Sequence, residues 1–229
     1  LWPDDESADD PPHRFRQLRY RLRRMLGEVS ASPETDGICL ERGVLKLDPA
    51  VVHSDAQEFL SLVRTARITP GPEAVEPLER ARSLYQGDLL AGPDARRYAW
   101  VDERDPSGVT LREHFRRLFQ QASVRLAELC ATGGDIDAAL DLYRELSEID
   151  PGDERLWRAL FRLHAERGDR LALMREERRM REALRELADE VDDQPGAQFQ
   201  EASRETVQEY QRLLASLGEH EREREPATA

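Results

Sequence analysis

Six arginines, Arg14, Arg16, Arg19, Arg21, Arg23 and Arg24, fall between residues 11 and 27 together with Gln17 and Tyr20, and that window holds no acidic residue. Guanidinium and carboxamide groups can make paired hydrogen bonds to guanine and adenine edges, and arginine also neutralises phosphate. The chemistry open to this set is recognition of an anionic polymer, not bond making. The rest of the chain carries the opposite charge. The formal net charge is -13, so outside the window acids exceed bases by nineteen. Such a chain as a whole repels nucleic acid, which makes this basic segment the first functional clue.

A helix is the element that would position these groups. Asp10-Pro11 supplies an N-cap acceptor followed by a proline at the first helical position, and Gly27 supplies a stop, so the pattern predicts about four turns. On a 3.6-residue wheel Phe15, Leu18, Leu22, Met25 and Leu26 form one stripe. Arg16, Gln17, Tyr20, Arg23 and Arg24 lie opposite, with Arg21 at the flank. One face would pack and the other would read; the bland alternative is a solvated basic face.

After a polar loop, residues 37–49 (GICLERGVLKLDP) read as a short hairpin turning at Arg42-Gly43. Arg42 and Lys46 would make its tip and edge positive. Helix followed by hairpin is winged-helix order, with the hairpin beside a major-groove helix. By itself the hairpin is equally a structural ribbon.

Leu1-Trp2-Pro3-Asp4, then residues 18–27 (LRYRLRRMLG), then the hairpin, together resemble the second half of the response-regulator-type winged helix of actinobacterial antibiotic-pathway activators. The resemblance implies that Arg16, Gln17, Tyr20, Arg21 and Arg24 face DNA and that Arg42 belongs to the wing. The sheet and first two helices that precede this half in the family are absent here. With no initiating Met, the chain is expected to be a fragment.

From Ser54 onward the apolar spacing turns helical. Ser54-Asp55 precedes Phe59, Leu60, Leu62 and Val63. Pro72-Glu73 precedes Val75, Leu78, Ala81, Leu84 and Tyr85. A third stretch is expected from about Ser107 through Cys130, with breaks at Pro70-Gly71-Pro72 and from Gly87 to Pro93. Shifting the sequence by 34 aligns Gly134-Asp135 with Gly168-Asp169, Leu126 with Leu160, Leu129 with Leu163, Ala138 with Ala172, Leu140 with Met174 and Leu146 with Met180. Thirty-four is the tetratricopeptide period. Ala139, Tyr143 and Pro151 match its small residue, aromatic and terminating proline. The second unit, with Leu173 and Glu177 at the first two positions, reads as a variant capping repeat.

Residues 85–92 (YQGDLLAG), then Trp100-Val101, then the paired repeats, resemble the bacterial transcriptional activator domain that follows the winged helix in the same regulators. The expected fold class is mainly α: a partial winged helix (recognition helix plus β-hairpin wing) followed by a tetratricopeptide-like α-helical repeat domain. The expected boundaries are 1–48 for the winged-helix part and 49–215 for the activator domain, with repeats at about 120–153 and 154–187. Residues 216–229 would be a flexible charged tail. The resemblance implies DNA as a partner in the full-length protein, RNA polymerase or a sigma subunit as a second, and pairing as a homodimer.

Composition narrows the remaining classes. Hydrophobic residues are 39%, charged residues 35% and mean hydropathy -0.73, the profile of amphipathic helices with solvated faces. No segment reaches the ~20 apolar residues of a membrane span, so no membrane contact is expected and the cytoplasm is the expected compartment. Cys39 and Cys130 sit among apolar neighbours, where small buried thiols are common. No phosphate loop, metal-spaced His/Cys cluster or activated nucleophile is evident, which argues against an enzyme, and no cofactor is expected. His164 reads as a packed or surface histidine, and Trp100, Trp157 and Tyr143 as core aromatics. The leading function is a transcriptional regulator, in activator form, that binds DNA and contacts the transcription machinery. The alternative is a protein-interaction or signalling module whose truncated winged helix does not bind DNA. A small-molecule-gated regulator would need a pocket that the residues do not reveal.

Overall fold

A computed structural model describes residues 11–29, 37–41, 44–48, 52–92, 95–192 and 202–224. The chain divides into two compact units, Leu1–Glu58 and Phe59–Ala229. This division falls inside a helix. Its first turn, from Asp55 to Glu58, contributes no buried side chain, and Phe59 is the first to enter the helical core.

The first unit holds helix α1 (Pro11–Val29) and two antiparallel strands, β1 (Ile38–Glu41) and β2 (Val44–Leu47). Helix α1 continues past Gly27, the expected stop. Glycine permits a left-handed cap without enforcing one. The strands pair Ile38 with Leu47, Cys39 with Lys46, Leu40 with Leu45 and Glu41 with Val44, and Ile38 is buried. That register brackets Arg42 and Gly43, which lie outside the described residues, as do the expected cap Asp10 and the Leu1–Asp4 element.

The second unit is helical. Helix α2 (Asp55–Ile68) starts where the Asp55 carboxylate accepts from the Ala56 amide at 2.7 Å. A 3₁₀ turn, Gly71–Ala74, leads into α3 (Val75–Leu84). A second 3₁₀ segment, Ala95–Asp102, buries Val101 completely and leaves Trp100 54% exposed, so Trp100 is not the core aromatic it was expected to be. Val101 is the anchor, and the neighbouring indole faces out. Helix α4 (Leu111–Thr132) begins four residues later than expected because Asp105 ties the preceding loop into a turn. Its carboxylate accepts from Ser107 N at 2.8 Å and Val109 N at 3.1 Å. A capping box then opens the helix: Glu113 N donates to Thr110 Oγ1 at 3.1 Å and Thr110 N to Glu113 Oε2 at 2.8 Å.

Helices α5 (Ile136–Ile149), α6 (Glu154–Glu166) and α7 (Arg170–Asp192) follow. The turns α4–α5 and α6–α7 are built alike, 34 residues apart. Gly134 donates to Ala131 O and Gly168 to Ala165 O; Asp135 donates to Cys130 O and Asp169 to His164 O. Asp135 and Asp169 then cap the next helices, accepting from Ala138 N and Ala172 N at 3.1 and 2.9 Å. Ala139 and Leu173, at equivalent positions, are both fully buried. Equivalence fails at Leu140 and Met174, which are 2% and 45% exposed. The last repeat presents to solvent the face that the first one packs.

Both turn glycines are left-handed, with φ of +90° at Gly134 and +72° at Gly168, and a Cβ at either would meet nothing within 4 Å. Gly134→Ala should therefore cost only the backbone penalty, about 1–2 kcal/mol. The expected urea midpoint falls with an unchanged slope; an unchanged midpoint would contradict the conformational reading.

Helix α8 (Arg204–Arg224) packs on α6 and α7, with Tyr210 5.6 Å from Phe161 ring to ring and Leu217 buried. The expected charged tail from residue 216 thus begins inside a helix. Leu213, Leu214 and Leu217 prolong the apolar stripe, and the charge alternation that follows hides it. Aromatic stacking closes the other end of the unit, with Phe59 on Phe115 at 5.6 Å and Tyr85 on Phe119 at 4.3 Å. Arg82 joins that end to the repeats: it donates to Ser123 Oγ at 2.5 Å and pairs with Glu145 at 2.7 Å.

Candidate functional site

In the first unit α1 carries the expected residues on one arc. With about 100° per residue, Arg16, Tyr20, Arg24, Gln17 and Arg21 follow one another across roughly 140°, and all five are exposed. Tyr20 is 68% exposed, an unusual position for a tyrosine without a partner surface. Phe15 and Leu22 on the opposite arc are half-buried, while Leu18 at 36% and Met25 at 61% stay open to solvent. The sixth expected residue, Arg42, lies outside the described residues. Lys46 on β2 is exposed.

In the second unit three helices meet on one buried carboxylate. Glu176 of α7 accepts from Arg144 Nε of α5 at 2.9 Å and from Arg179 Nη1 at 3.0 Å, and His164 Nε2 of α6 lies 3.5 Å away. Burial pushes the Glu176 carboxyl up, but hydrogen bonds from His164 and Arg144 and the charges of Arg179 and Arg144 outweigh it and hold it down at about 2. His164 is buried, and its Nδ1 makes no hydrogen bond. This cluster ties α5, α6 and α7 together.

A depressed carboxyl stabilises the fold fully above its ordinary pKa and loses that contribution as pH falls through the folded value. The Glu176 contribution, roughly 2–3 kcal/mol, should therefore fade between about pH 4.5 and pH 2. Denaturation midpoints measured from pH 7 to pH 2.5 should drop across that window in the wild type. In Glu176→Gln the drop should be smaller, from a lower start. Parallel curves for the two proteins would contradict the assignment.

Residues 85–92 also have a structural explanation. Tyr85 OH donates to Asp88 Oδ1 at 3.3 Å, and Arg116 of α4 grips the same carboxylate through Nε, at 3.1 Å, and Nη2. Hydrogen bonding to Arg116 lowers the Asp88 pKa. Cys130 is a free thiol, raised by burial. Among the described residues no group of three or more His, Cys, Asp or Glu could hold a metal ion, and no helix is long and apolar enough to cross a membrane.

One concave feature of the second unit went unrecognised in the sequence. A groove of about 810 Å³ runs between α4 and α6 with part of α5 as its floor. Arg155, Arg158 and Arg162 line it from α6, at the i, i+3, i+7 spacing of a single helix face. That spacing was available as a signal in the sequence.

The helical architecture coincides with a family match. The model for the bacterial transcriptional activator domain (BTAD) matches residues 54–208, well over half of the chain. The chain belongs to this family of bacterial transcriptional activator-type regulators. No curated protein matches it. The matched span begins at the threshold of α2 and does not include α1 or the hairpin.

Proposed function

We propose that the protein is a cytoplasmic transcriptional activator of the actinobacterial antibiotic-regulatory type, with two working parts. In the full-length protein α1 reads DNA as the recognition helix of a winged helix of which β1 and β2 form the wing. The helical domain contacts RNA polymerase or its sigma subunit. The observation that carries this reading is the union of a BTAD match over 54–208 with an exposed arginine, glutamine and tyrosine face on α1. Arg16, Gln17, Tyr20, Arg21 and Arg24 are the residues assigned to DNA, and Arg42 is assigned to the phosphate backbone beside the groove. Exposure of Leu18 and Met25 leaves part of the apolar side of α1 open to further packing. Two-fold pairing on repeated sites would double the contacts.

The test is selection of duplexes from a random pool by the full-length protein, followed by binding measurements across a salt series. The reading expects enrichment of a defined sequence and an affinity that falls steeply with salt. A pool that stays random after repeated rounds, while the protein remains folded, would overturn the DNA-reading half.

A further inference from the structure

We infer that a cleft between α2 and α4 is a binding site for a small amphipathic carboxylate, a molecule with a compact hydrocarbon body and one carboxylate head. This inference goes beyond the transcription reading and stands without it. Two contacts hold α2 alongside α4. Near the start of α2 Phe59 stacks on Phe115 at 5.6 Å, and at its end Arg125 donates to the carbonyls of Ala66 and Thr69 at 2.5 and 2.6 Å. Between these ties lies a cleft of about 270 Å³. Ala66, Leu78 and Ala122, all buried, are its floor, and the half-buried Leu60, Val63 and Leu118 are its walls. Its size falls just below the roughly 300–1,000 Å³ of most small-molecule sites, which suits a compact ligand better than a peptide helix.

The charge around the cleft selects the head group. Arg64 and Arg67 of α2 and Arg125 of α4 line it, with His114 and Gln121 beside them, and among the described residues no acid does. In a chain of net charge -13 this is a local inversion that favours an anion. Arg64 and Arg67 are exposed, and neither side chain pairs with a carboxylate among the described residues. They stand three residues apart, on one side of α2. Arg125 already donates to backbone carbonyls, which leave its charge uncancelled. A guanidinium takes a planar carboxylate through two parallel hydrogen bonds. A carboxylate held at the rim by Arg64 and Arg67 would lay its hydrocarbon body over Leu60, Val63 and Leu118, where burial removes apolar surface from water. A bare anion gains only the first of these interactions, and a neutral hydrocarbon only the second.

The probes are octanoate, its neutral analogue octanol, and acetate, each titrated into the full chain by isothermal calorimetry at low salt. Octanoate should saturate a single site. Octanol should bind about tenfold more weakly or worse, for want of the charge-assisted hydrogen bonds, and acetate should not saturate. The double variant Arg64→Gln, Arg67→Gln should weaken octanoate about tenfold and leave octanol within about twofold. Both positions are exposed, so circular dichroism should be unchanged. Arg175→Gln with Arg178→Gln, the same charge change on exposed positions of α7, should shift octanoate affinity less than about twofold, as expected for screened distant charges. Amide NMR shifts on adding octanoate should concentrate in residues 60–67 and 114–125, the stretches of α2 and α4 that line the cleft. Absence of saturable octanoate binding overturns the site, as does octanol binding as tightly as octanoate. Equal loss in the two double variants overturns it in favour of diffuse electrostatics, and shifts centred on other helices overturn its location.

Discussion

Changing Arg16, Gln17, Tyr20 and Arg21 together to alanine should abolish sequence preference in the full-length protein while leaving the helical domain intact. A good bidentate base contact contributes about 1–3 kcal/mol of discrimination. If two of the four side chains make one, selected and scrambled duplexes should differ about a hundredfold less in the variant. Arg42→Ala should behave differently. A phosphate contact carries no sequence information, so its loss weakens all duplexes alike and lowers the salt slope by about one unit. Parallel titrations of the two variants on both duplexes make the distinction. If the quadruple variant retains full preference, α1 is a solvated basic face and the DNA-reading assignment fails. The substituted residues are all exposed on α1, so the helix should survive.

Phe161→Ala should produce the largest stability change of any single substitution in the helical unit. The ring is completely buried at the centre of the repeat core and lies 5.6 Å from Tyr210 of α8. Removing a buried aromatic costs about 3–5 kcal/mol, because the lost transfer energy adds to the cavity left behind. For a unit of this size the melting midpoint should fall by about 10 °C or more. Trp100→Ala, at a 54% exposed indole, should change stability by no more than about 0.5 kcal/mol. Calorimetry on the pair decides; a larger loss at Trp100 than at Phe161 would contradict the core assignment.

The repeats were legible in the sequence because their determinants are local. Gly134 and Gly168 mark left-handed turns, and Asp135 and Asp169 cap the helices that follow. Each signal needs only three or four neighbouring residues. The face of α1 was equally open to a helical wheel, since the spacing of Phe15, Leu18 and Leu22 separates it from Arg16, Gln17 and Tyr20. Longer-range features were hidden. Arg144 and Glu176 stand 32 residues apart, and nothing nearby in sequence marks either as buried. The groove needs α4 and α6 to be set side by side before its arginines become a set. Trp100 misled because hydrophobicity alone does not say which of two adjacent residues faces inward, and Val101 takes that role. The end of α8 misled for the opposite reason: Leu217 is one apolar residue at the edge of a run of charges, and packing against the repeat core outweighs that composition.

The central claim is that the BTAD helices serve transcription from a site chosen by α1. The most direct test is a purified transcription reaction with RNA polymerase holoenzyme and a promoter carrying the selected duplex upstream. Full-length wild-type protein should raise transcript yield from that promoter and not from one with a scrambled site. The quadruple α1 variant should raise neither. Equal yields with and without the wild-type protein, under conditions where it occupies the site, would contradict activation; stimulation that persists in the quadruple variant would contradict the role of α1.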